Sequence, residues 1–488
     1  MAHSARFLSA LAALALSACA AGPDYVAPAP PPTASGPFLS TQSPGIAAQA
    51  PVPADWWRLY DDPVLDRLVA DALAANTDIR VAVAHLERAR AALREVRADA
   101  APQAAASASP NYGRLPADQR VPGAPREAWQ VDVGLNVSYE LDLFGRVGRQ
   151  TEAARGDIGA AEADLHAAQV AVVADTTRAY ADAAGAAERI AVARRIVALL
   201  DSQLTLLHRR EQAGLATPLD AARIETLREQ RQAEIPSLMA ERESALFRLA
   251  TLTGRTPAEL PQPAGDRPTA LRLAQPLPVG DGTALLARRP DVRAAERRLA
   301  ASTARIGIAT ADLYPRISLG GSFGSQGQSF GGIFGASPLT WLLGPLISWA
   351  VNPAPARARI AEARADEKAA LATFDGTILR ALQETETALS AYGRALEQRT
   401  SLQAARDAAA TAAGIIRAQQ REGQVDSLVL LDSERTFAET EAALADQDAA
   451  IARDQVDLFR ALGGGWQTPG AARVASSRSV SAASRATW

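Results

Sequence analysis

The segment WQVDVGLNVSYELDLFGR, residues 129–146, decides the fold because it carries a strict two-residue alternation. From Val131 to Leu143 every odd-numbered residue is apolar, and every even-numbered residue is polar or glycine. Successive side chains of a β-strand point to opposite faces of the sheet, so this segment predicts a strand with one apolar and one polar face. The flanking sequence is rich in alanine and arginine and predicts long helices instead.

Composition and motifs argue against several classes of protein. The 488 residues carry a formal net charge of -3, which gives no indication of nucleic-acid binding. No apolar run of about 18 residues follows the N-terminus, so no ordinary membrane-spanning helix is expected. Ser322 fits the G-x-S-x-G pattern of hydrolases, but it alternates within a predicted strand and no histidine follows it in the chain. An enzyme is therefore not predicted, and no cofactor or metal site is expected.

The N-terminus predicts export and lipidation. Residues 1–18 resemble a secretory signal peptide that ends in Leu-Ser-Ala before Cys19, a pattern similar to a bacterial lipobox. Cys19 is the only cysteine, and we expect it to be the acylated first residue of the mature chain. Each buried methylene of an acyl chain contributes about 0.8 kcal/mol to membrane anchoring. A plain signal peptide with an incidental cysteine is the alternative. Residues 19–54 are predicted to be extended and residues 466–488 disordered.

The chain contains an internal repeat. A helical pattern that starts at Asp78 meets a proline 24 residues later, and the pattern that starts at Asp291 does so at the same distance. Each is followed by two strand signals, a very long helix, a turn and a shorter helix, which predicts two copies of one unit, at 55–265 and 280–465. The strands are expected at about 104–116, 130–144, 316–326 and 339–349.

The long helices predict coiled-coil packing. In the predicted segments, Gly214 lies 68 residues after Arg146 and Gly423 lies 68 residues after Pro355. A continuous helix of that length would reach about 100 Å, and apolar residues spaced by three and four predict lateral partners. Pro236 is expected to kink the first return helix or to start a new segment.

Four strands per chain, with aromatic residues near them, favour a membrane barrel shared between several chains. Outer-membrane barrels have about 8 or more strands, and lipid does not tolerate an open sheet edge. A soluble sandwich is the alternative, but these strands alone would not build two packed sheets.

Four features together resemble the TolC-like outer-membrane factors, and in particular their NodT-type efflux lipoproteins. They are the lipobox, the segment DWWRLYDDPVLDRLVADALAANTDIR at residues 55–80, the duplicated unit, and GQVDSLVLLDSERT at residues 423–436. The resemblance implies a mainly α fold with a small membrane β-barrel portion, in which a homotrimer forms a 12-stranded barrel continuous with a periplasmic helical tunnel. It also implies a passive exit duct of a tripartite efflux pump, anchored in outer-membrane lipid, with a periplasmic adaptor and an inner-membrane pump as partners.

The same resemblance implies site residues at the periplasmic helix tips. The turns at Gly214 and Gly423 would contact the adaptor. Leu428 and Asp432 match an apolar and an acidic ring that close the resting tip, and Asp220 matches an aspartate that ties neighbouring helices. A solvated surface carboxylate is the alternative for Asp432, and a place in the helix seam is the alternative for Leu428.

Two other functions remain open at this point. One is a type I protein-secretion duct of the same fold, and the other is a lipid-anchored coiled-coil scaffold without a pore. The transported substrate is not readable from the sequence.

Overall fold

The computed structural model describes residues 21–466, with gaps at 49, 115, 117, 119–122, 124, 328–329, 332 and 334–338. The signal sequence, Cys19 and the tail beyond Trp466 therefore lie outside the described residues. The chain divides into two compact units. Within the described residues, the first unit comprises 21–29, 85–162 and 294–375, and the second comprises 30–84, 163–293 and 376–466.

The same order of helices and strands occurs twice along the chain. The first half contains β1 (Ile46–Ala47), α1 (Pro63–Ala75), α2 (Thr77–Asp99), β2 (Gln103–Arg114), β3 (Glu127–Leu141), α3 (Arg146–Gln212) and α4 (Pro218–Leu252). The second half contains β4 (Leu277–Pro278), α5 (Gly282–Arg288), α6 (Pro290–Ala311), β5 (Arg316–Gly327), β6 (Leu339–Ser348), α7 (Ala354–Arg421) and α8 (Ser427–Ala461). Because α2-β2-β3-α3-α4 recurs as α6-β5-β6-α7-α8, the predicted mainly α fold with a duplicated unit is confirmed.

No helix in the described part of the chain is both long enough and apolar enough to cross a membrane.

A four-stranded antiparallel sheet in the order β2-β3-β5-β6 lies in the first unit. The central pair, β3 and β5, joins the two repeats. β3 ends at Leu141, before the expected end at residue 144. The reason is that Asp142 accepts hydrogen bonds from the amides of Val147 (3.1 Å) and Gly148 (2.7 Å), which satisfies the first free N–H groups of α3.

The core of the second unit combines a small N-terminal cluster, which contains Val52, Trp56 and Tyr60, with the helices. The ring of Trp56 has no exposed surface and stacks on Phe459 of α8 at 4.4 Å between ring centroids. Further along, α3 and α4 bury apolar residues against each other at coiled-coil spacing, among them Ile196, Leu200, Leu207, Ile224 and Leu227.

The new segment expected at Pro236 is wrong, because α4 runs as one helix from Pro218 to Leu252. Proline removes one backbone hydrogen bond from a helix. Buried Ile235 and Leu238 pack against α3 on either side of the proline, and this packing holds the helix together across it.

Polar side chains tie the end of each return helix to the start of its repeat. Asn76 accepts hydrogen bonds from the first amides of α2 and donates to the carbonyl of Leu252 at 3.0 Å. In the second repeat, Arg288 and Arg289 donate to the carbonyls of Leu462 (2.6 Å) and Ala461 (2.9 Å). Helix-end carbonyls that have no intrahelical partner are thereby satisfied.

Candidate functional site

One face of the four-stranded sheet is apolar across all four strands. On β3 it carries the odd-numbered residues predicted from the sequence, with Leu135 at its centre. Leu135 lies opposite Ala106 of β2 and Phe323 of β5, and Phe323 lies opposite Trp341 of β6. The opposite face is mainly polar on β2, β3 and β5, with Ser107, Asp132, Asn136, Ser138, Glu140, Ser318, Ser322 and Gln326, whereas β6 places Leu342 and Leu346 there.

Most of the apolar face is exposed in the part of the chain that the structure describes. Leu135 is 45% exposed and Trp341 is 73% exposed, although both side chains are large and apolar. Exposing apolar surface to water costs about 25 cal/mol per Å², and patches of this kind mark membrane or protein contacts. The sheet therefore needs an apolar environment outside the chain.

Aromatic residues stand near both ends of the sheet. At one end Trp129 lies 5.5 Å from Tyr112 and 5.6 Å from Phe330 between ring centroids. At the other end Phe144 stacks on Tyr314 at 4.7 Å. The strand from Trp129 to Leu141 is about 40 Å long at ~3.3 Å per residue, or about 28 Å across when tilted by ~45°. That height matches the hydrocarbon layer of a bilayer, about 30 Å.

Both edges of the sheet are open. Within the described residues β2 pairs only with β3, and β6 pairs only with β5. The helices next to these edge strands are open too, since no residue from 87 to 99 in α2 is buried. Between residues 354 and 375 of α7, only Ala356, Ile360 and Phe374 are buried. The first unit thus leaves both edge strands of its sheet unpaired and exposes the helices, α2 and α7, that adjoin those strands.

The two helix-tip turns have the same backbone geometry. Gly214 and Gly423 adopt φ values of +71° and +74°, in the left-handed region that favours glycine. The amide of Gly214 donates to Glu211 and that of Leu215 to Arg210, at 2.9 and 2.7 Å. The turn at Gly423 repeats both bonds, at 3.1 and 2.9 Å. Each long helix therefore ends in a Schellman motif, which reverses the chain within five residues.

Each return helix starts at a side-chain cap. Asp220 accepts hydrogen bonds from the Thr217 hydroxyl (2.7 Å) and amide (3.0 Å), and these bonds hold the pKa of the Asp220 carboxyl below its usual value. Asp426 caps α8 by accepting from the amides of Leu428 and Val429. Within the described residues Asp220 thus bonds Thr217, the N-cap residue of its own helix. Its expected role, a link between neighbouring helices, stays a prediction.

Leu428 and Asp432 lie on one exposed face of α8, four residues apart. Leu428 is 51% exposed, so it does not pack in the seam of this chain's helices. The side chain of Asp432 is 69% exposed and pairs with Arg435 at 3.0 Å. An arginine thus lies beside each carboxylate of the expected acidic ring, which the sequence reasoning did not include.

Sequence reasoning also missed a bond between the two tips. The guanidinium of Arg210, at the end of α3, donates to the backbone carbonyl of Gln420, at the end of α7, at 2.8 Å. Gln420 is buried, and this contact joins the two repeats just before their turns. No side-chain pattern signals it, since the acceptor is a main-chain atom.

A row of buried polar residues on α8 was missed as well. Every seventh residue is polar and at most 9% exposed, and the row consists of Glu434, Glu441, Asp448 and Gln455. Their partners on α7 follow in reverse order: Arg417 at 2.6 Å, Arg406 at 3.8 Å, Arg399 at 2.5 Å and Tyr392 at 3.3 Å. Spacing by seven was the available signal. The α7–α8 hairpin is therefore registered by buried charges, whereas the ion pairs between α3 and α4, Arg189–Glu241 and Arg228–Asp201 among them, are partly exposed.

The duplicated architecture and two-faced sheet have known relatives. The profile of the outer membrane efflux protein family matches residues 68–255 and 283–464. This chain belongs to the outer membrane efflux protein family. It is 35% identical over 460 residues to outer membrane protein OprJ of Pseudomonas aeruginosa, covering 93% of this chain and 95% of OprJ.

Two further relatives agree. The toluene efflux pump outer membrane protein TtgC of Pseudomonas putida is 31% identical over 464 residues, with 94% of this chain and 95% of TtgC covered. The solved structure of the outer-membrane channel OprN superposes with a TM-score of 0.85 at 39% identity, over 92% of this chain and 100% of OprN. The chain is thus an outer-membrane efflux protein with the TolC-like fold, and its predicted location in the outer membrane is confirmed.

Proposed function

We propose that this protein is the exit duct of a tripartite efflux pump and that three copies pool their strands into one closed barrel. The observation that carries the proposal is the two-faced sheet with two open edges. Lipid has no hydrogen-bonding groups, so an open edge in the membrane leaves backbone N–H and C=O groups unpaired. Three copies of four strands make 12, within the range of outer-membrane barrels.

Each joint between copies would pair β6 of one copy with β2 of the next. These edges run antiparallel to each other, because every neighbouring pair in the sheet is antiparallel. The exposed faces of α2 and α7 would meet at the same joints. The apolar face would then contact lipid, and the face with Asp132, Asn136 and Ser322 would line a water-filled lumen.

The N-terminal segment supports anchoring at the membrane through Cys19. Ala21, two residues further on, donates a hydrogen bond to the carbonyl of Phe144 at 3.0 Å, directly after β3 and its aromatic end. Gly22 packs on Gly307 so closely that a Cβ on Gly22 would lie 2.5 Å from the Gly307 Cα. Acyl chains on Cys19 would therefore enter the membrane beside the barrel.

The names of the relatives support the substrate class and partners. TtgC is named for toluene, and ArpC of Pseudomonas putida, 31% identical to this chain, for antibiotics. We propose that this duct passes small organic compounds, that an inner-membrane pump supplies the energy, and that a periplasmic adaptor contacts the turns at Gly214 and Gly423.

The resting gate is proposed at Leu428 and Asp432, where threefold symmetry would form one apolar and one charged ring. Because Arg435 lies beside Asp432, the charged ring is less acidic than three lone carboxylates. Replacing both residues (Leu428→Ala with Asp432→Ala) should raise single-channel conductance. Leu215→Ala, at an exposed leucine of the other turn, is the control, and equal conductance in all three proteins would contradict the gate.

Reconstitution tests the whole proposal. Purified protein added to a planar bilayer should give discrete conductance steps, and its mass in detergent should equal three chains. A folded protein that stays monomeric and never conducts would favour the coiled-coil scaffold. Susceptibility of a deletion strain to organic solvents and antibiotics, compared with loss of a secreted protein, separates the efflux duct from a type I secretion duct.

A further inference from the structure

The second unit contains a cavity of about 620 Å³ between α3, α7, α8 and the start of α6. Its apolar lining consists of five alanines, Val170 and Pro290. Cavities that hold drug-sized molecules have volumes of about 300–1,000 Å³ and mostly apolar walls. By size and lining, the cavity suits a small organic molecule.

Most charges around the cavity are already paired, and Arg460 of its lining lies 3.9 Å from Asp175 of α3. Arg289 holds both Asp291 (2.7 Å) and Glu384 (2.8 Å), and its side chain is only 9% exposed. Asp457 is bonded by Arg178 of α3. These carboxylates are neutralised by arginines of the same unit and have little charge left to offer a ligand.

Asp454 differs from the other carboxylates. In the part of the chain that the structure describes, it lines the cavity but accepts no hydrogen bond and makes no ion pair. Burial and the neighbouring Asp457 raise the pKa of its carboxyl, and the charges of Arg178 and Arg453 only partly offset this. A partly dehydrated carboxylate without a partner is stabilised by any cation that enters beside it.

The cavity lies on the side of α8 that faces away from the N-terminal cluster. Gln455 and Phe459 contact Tyr60 and Trp56 of that cluster. At about 100° per residue, Asp454 and Ala461 fall on the opposite side of the helix. In the proposed duct the N-terminal cluster lies on the outer surface of the helical tunnel, so the cavity opens towards the inside of the tunnel. The inference therefore rests on the proposed function.

We propose that this cavity, the Asp454 niche, binds lipophilic organic cations, such as protonated amines or phosphonium ions, on the inner wall of the duct. The unpaired carboxylate supplies the counter-charge, and the alanine-lined wall receives the apolar body of the ligand. Three copies would present three such niches at one level of the duct. Lipophilic anions of the same shape would be rejected by the charge of Asp454.

Block of single-channel current tests the niche. Tetraphenylphosphonium should reduce the current of the wild-type channel, and Asp454→Asn should raise the blocking concentration by about 10-fold or more, which corresponds to about 1.4 kcal/mol. Glu397→Gln, at an exposed glutamate paired with Arg394, should leave block unchanged. Tetraphenylborate, the anion of matching shape, should block neither protein.

Equal block of the wild-type and Asp454→Asn channels would overturn the niche. Ala391→Phe gives a second variant that fills the cavity and keeps the carboxylate, and it should also weaken block. Should the wild-type protein not conduct at all, the duct proposal fails. Calorimetric titration of the detergent-solubilised protein with tetraphenylphosphonium would still test the niche, since binding should be lost in Asp454→Asn.

Discussion

An arginine at Leu135 is the sharpest test of the membrane face. Leu135 lies six residues from Trp129 and six from Leu141, so it is about 20 Å along the strand from each end of this membrane-facing segment. At a tilt of ~45° this places it about 14 Å from either interface, close to the bilayer midplane. An arginine there costs about 2–4 kcal/mol, or about 6–12 kcal/mol for three copies, against a typical folding stability of about 5–15 kcal/mol.

Leu135→Arg should therefore fold poorly into lipid vesicles. Urea titration of the reconstituted protein, followed by tryptophan fluorescence, should show a large shift of the midpoint to lower urea. Asn136→Arg is the matched control, because it lies at the same depth on the opposite face and would point into water. Similar midpoints for the two variants, or a greater loss in Asn136→Arg, would refute the assignment of the two faces.

Three further predictions concern the helices. Gly307→Ala should lower the melting temperature and cost about 1–3 kcal/mol of folding stability, because the new Cβ would lie 2.8 Å from the backbone carbonyl oxygen of Ala21. In the same thermal scan, Gly414→Ala should stabilise the protein slightly, because no atom lies within 4 Å of the position of its Cβ. Glu434→Gln breaks an ion pair whose carboxylate side is 0% exposed and whose arginine is 27% exposed, and it should cost about 1–3 kcal/mol in urea unfolding, whereas Glu439→Gln, 57% exposed, should change little. The folded-state pKa of Asp454 is raised, so the stability of the folded protein that comes from the protonated carboxyl is present at low pH and is lost as pH rises through that pKa. Asp454→Asn should therefore have a higher melting temperature than wild type at neutral pH and the same melting temperature at about pH 3. A constant difference at both pH values would show that ionisation is not the cause.

Predictability differed between the strands for a physical reason. The alternation of β3 is unambiguous because its large apolar residues and its charged residues fall on opposite faces. β2, with the sequence QAAASASPNYGR, offers mostly alanine and serine, so its side chains hardly distinguish the two faces. Its place in the sheet follows from pairing with β3, which is a tertiary effect.

The helix-tip turns are predictable from single residues, whereas the polar row of α8 leaves only its spacing by seven as a signal. Gly214 and Gly423 are recognisable because a tight reversal requires a residue that tolerates positive φ. Glu434 and Asp448 each read as surface carboxylates, since their arginine partners lie 17 and 49 residues away along the chain. Only the path of α7 alongside α8 brings these charges together and buries them.

Parity is a consequence of the duplicated sheet. Each repeat contributes a β-hairpin, β2 with β3 and β5 with β6, so doubling the unit adds strands in pairs. In a ring of identical chains that each contribute an even number of strands, the two strands that meet at every junction are antiparallel. An odd number of strands per chain would make them parallel. Six copies of a single half would close the same wall as three of the fused chain. Fusion leaves each half free to differ, and only the α7–α8 hairpin carries the row of buried polar residues.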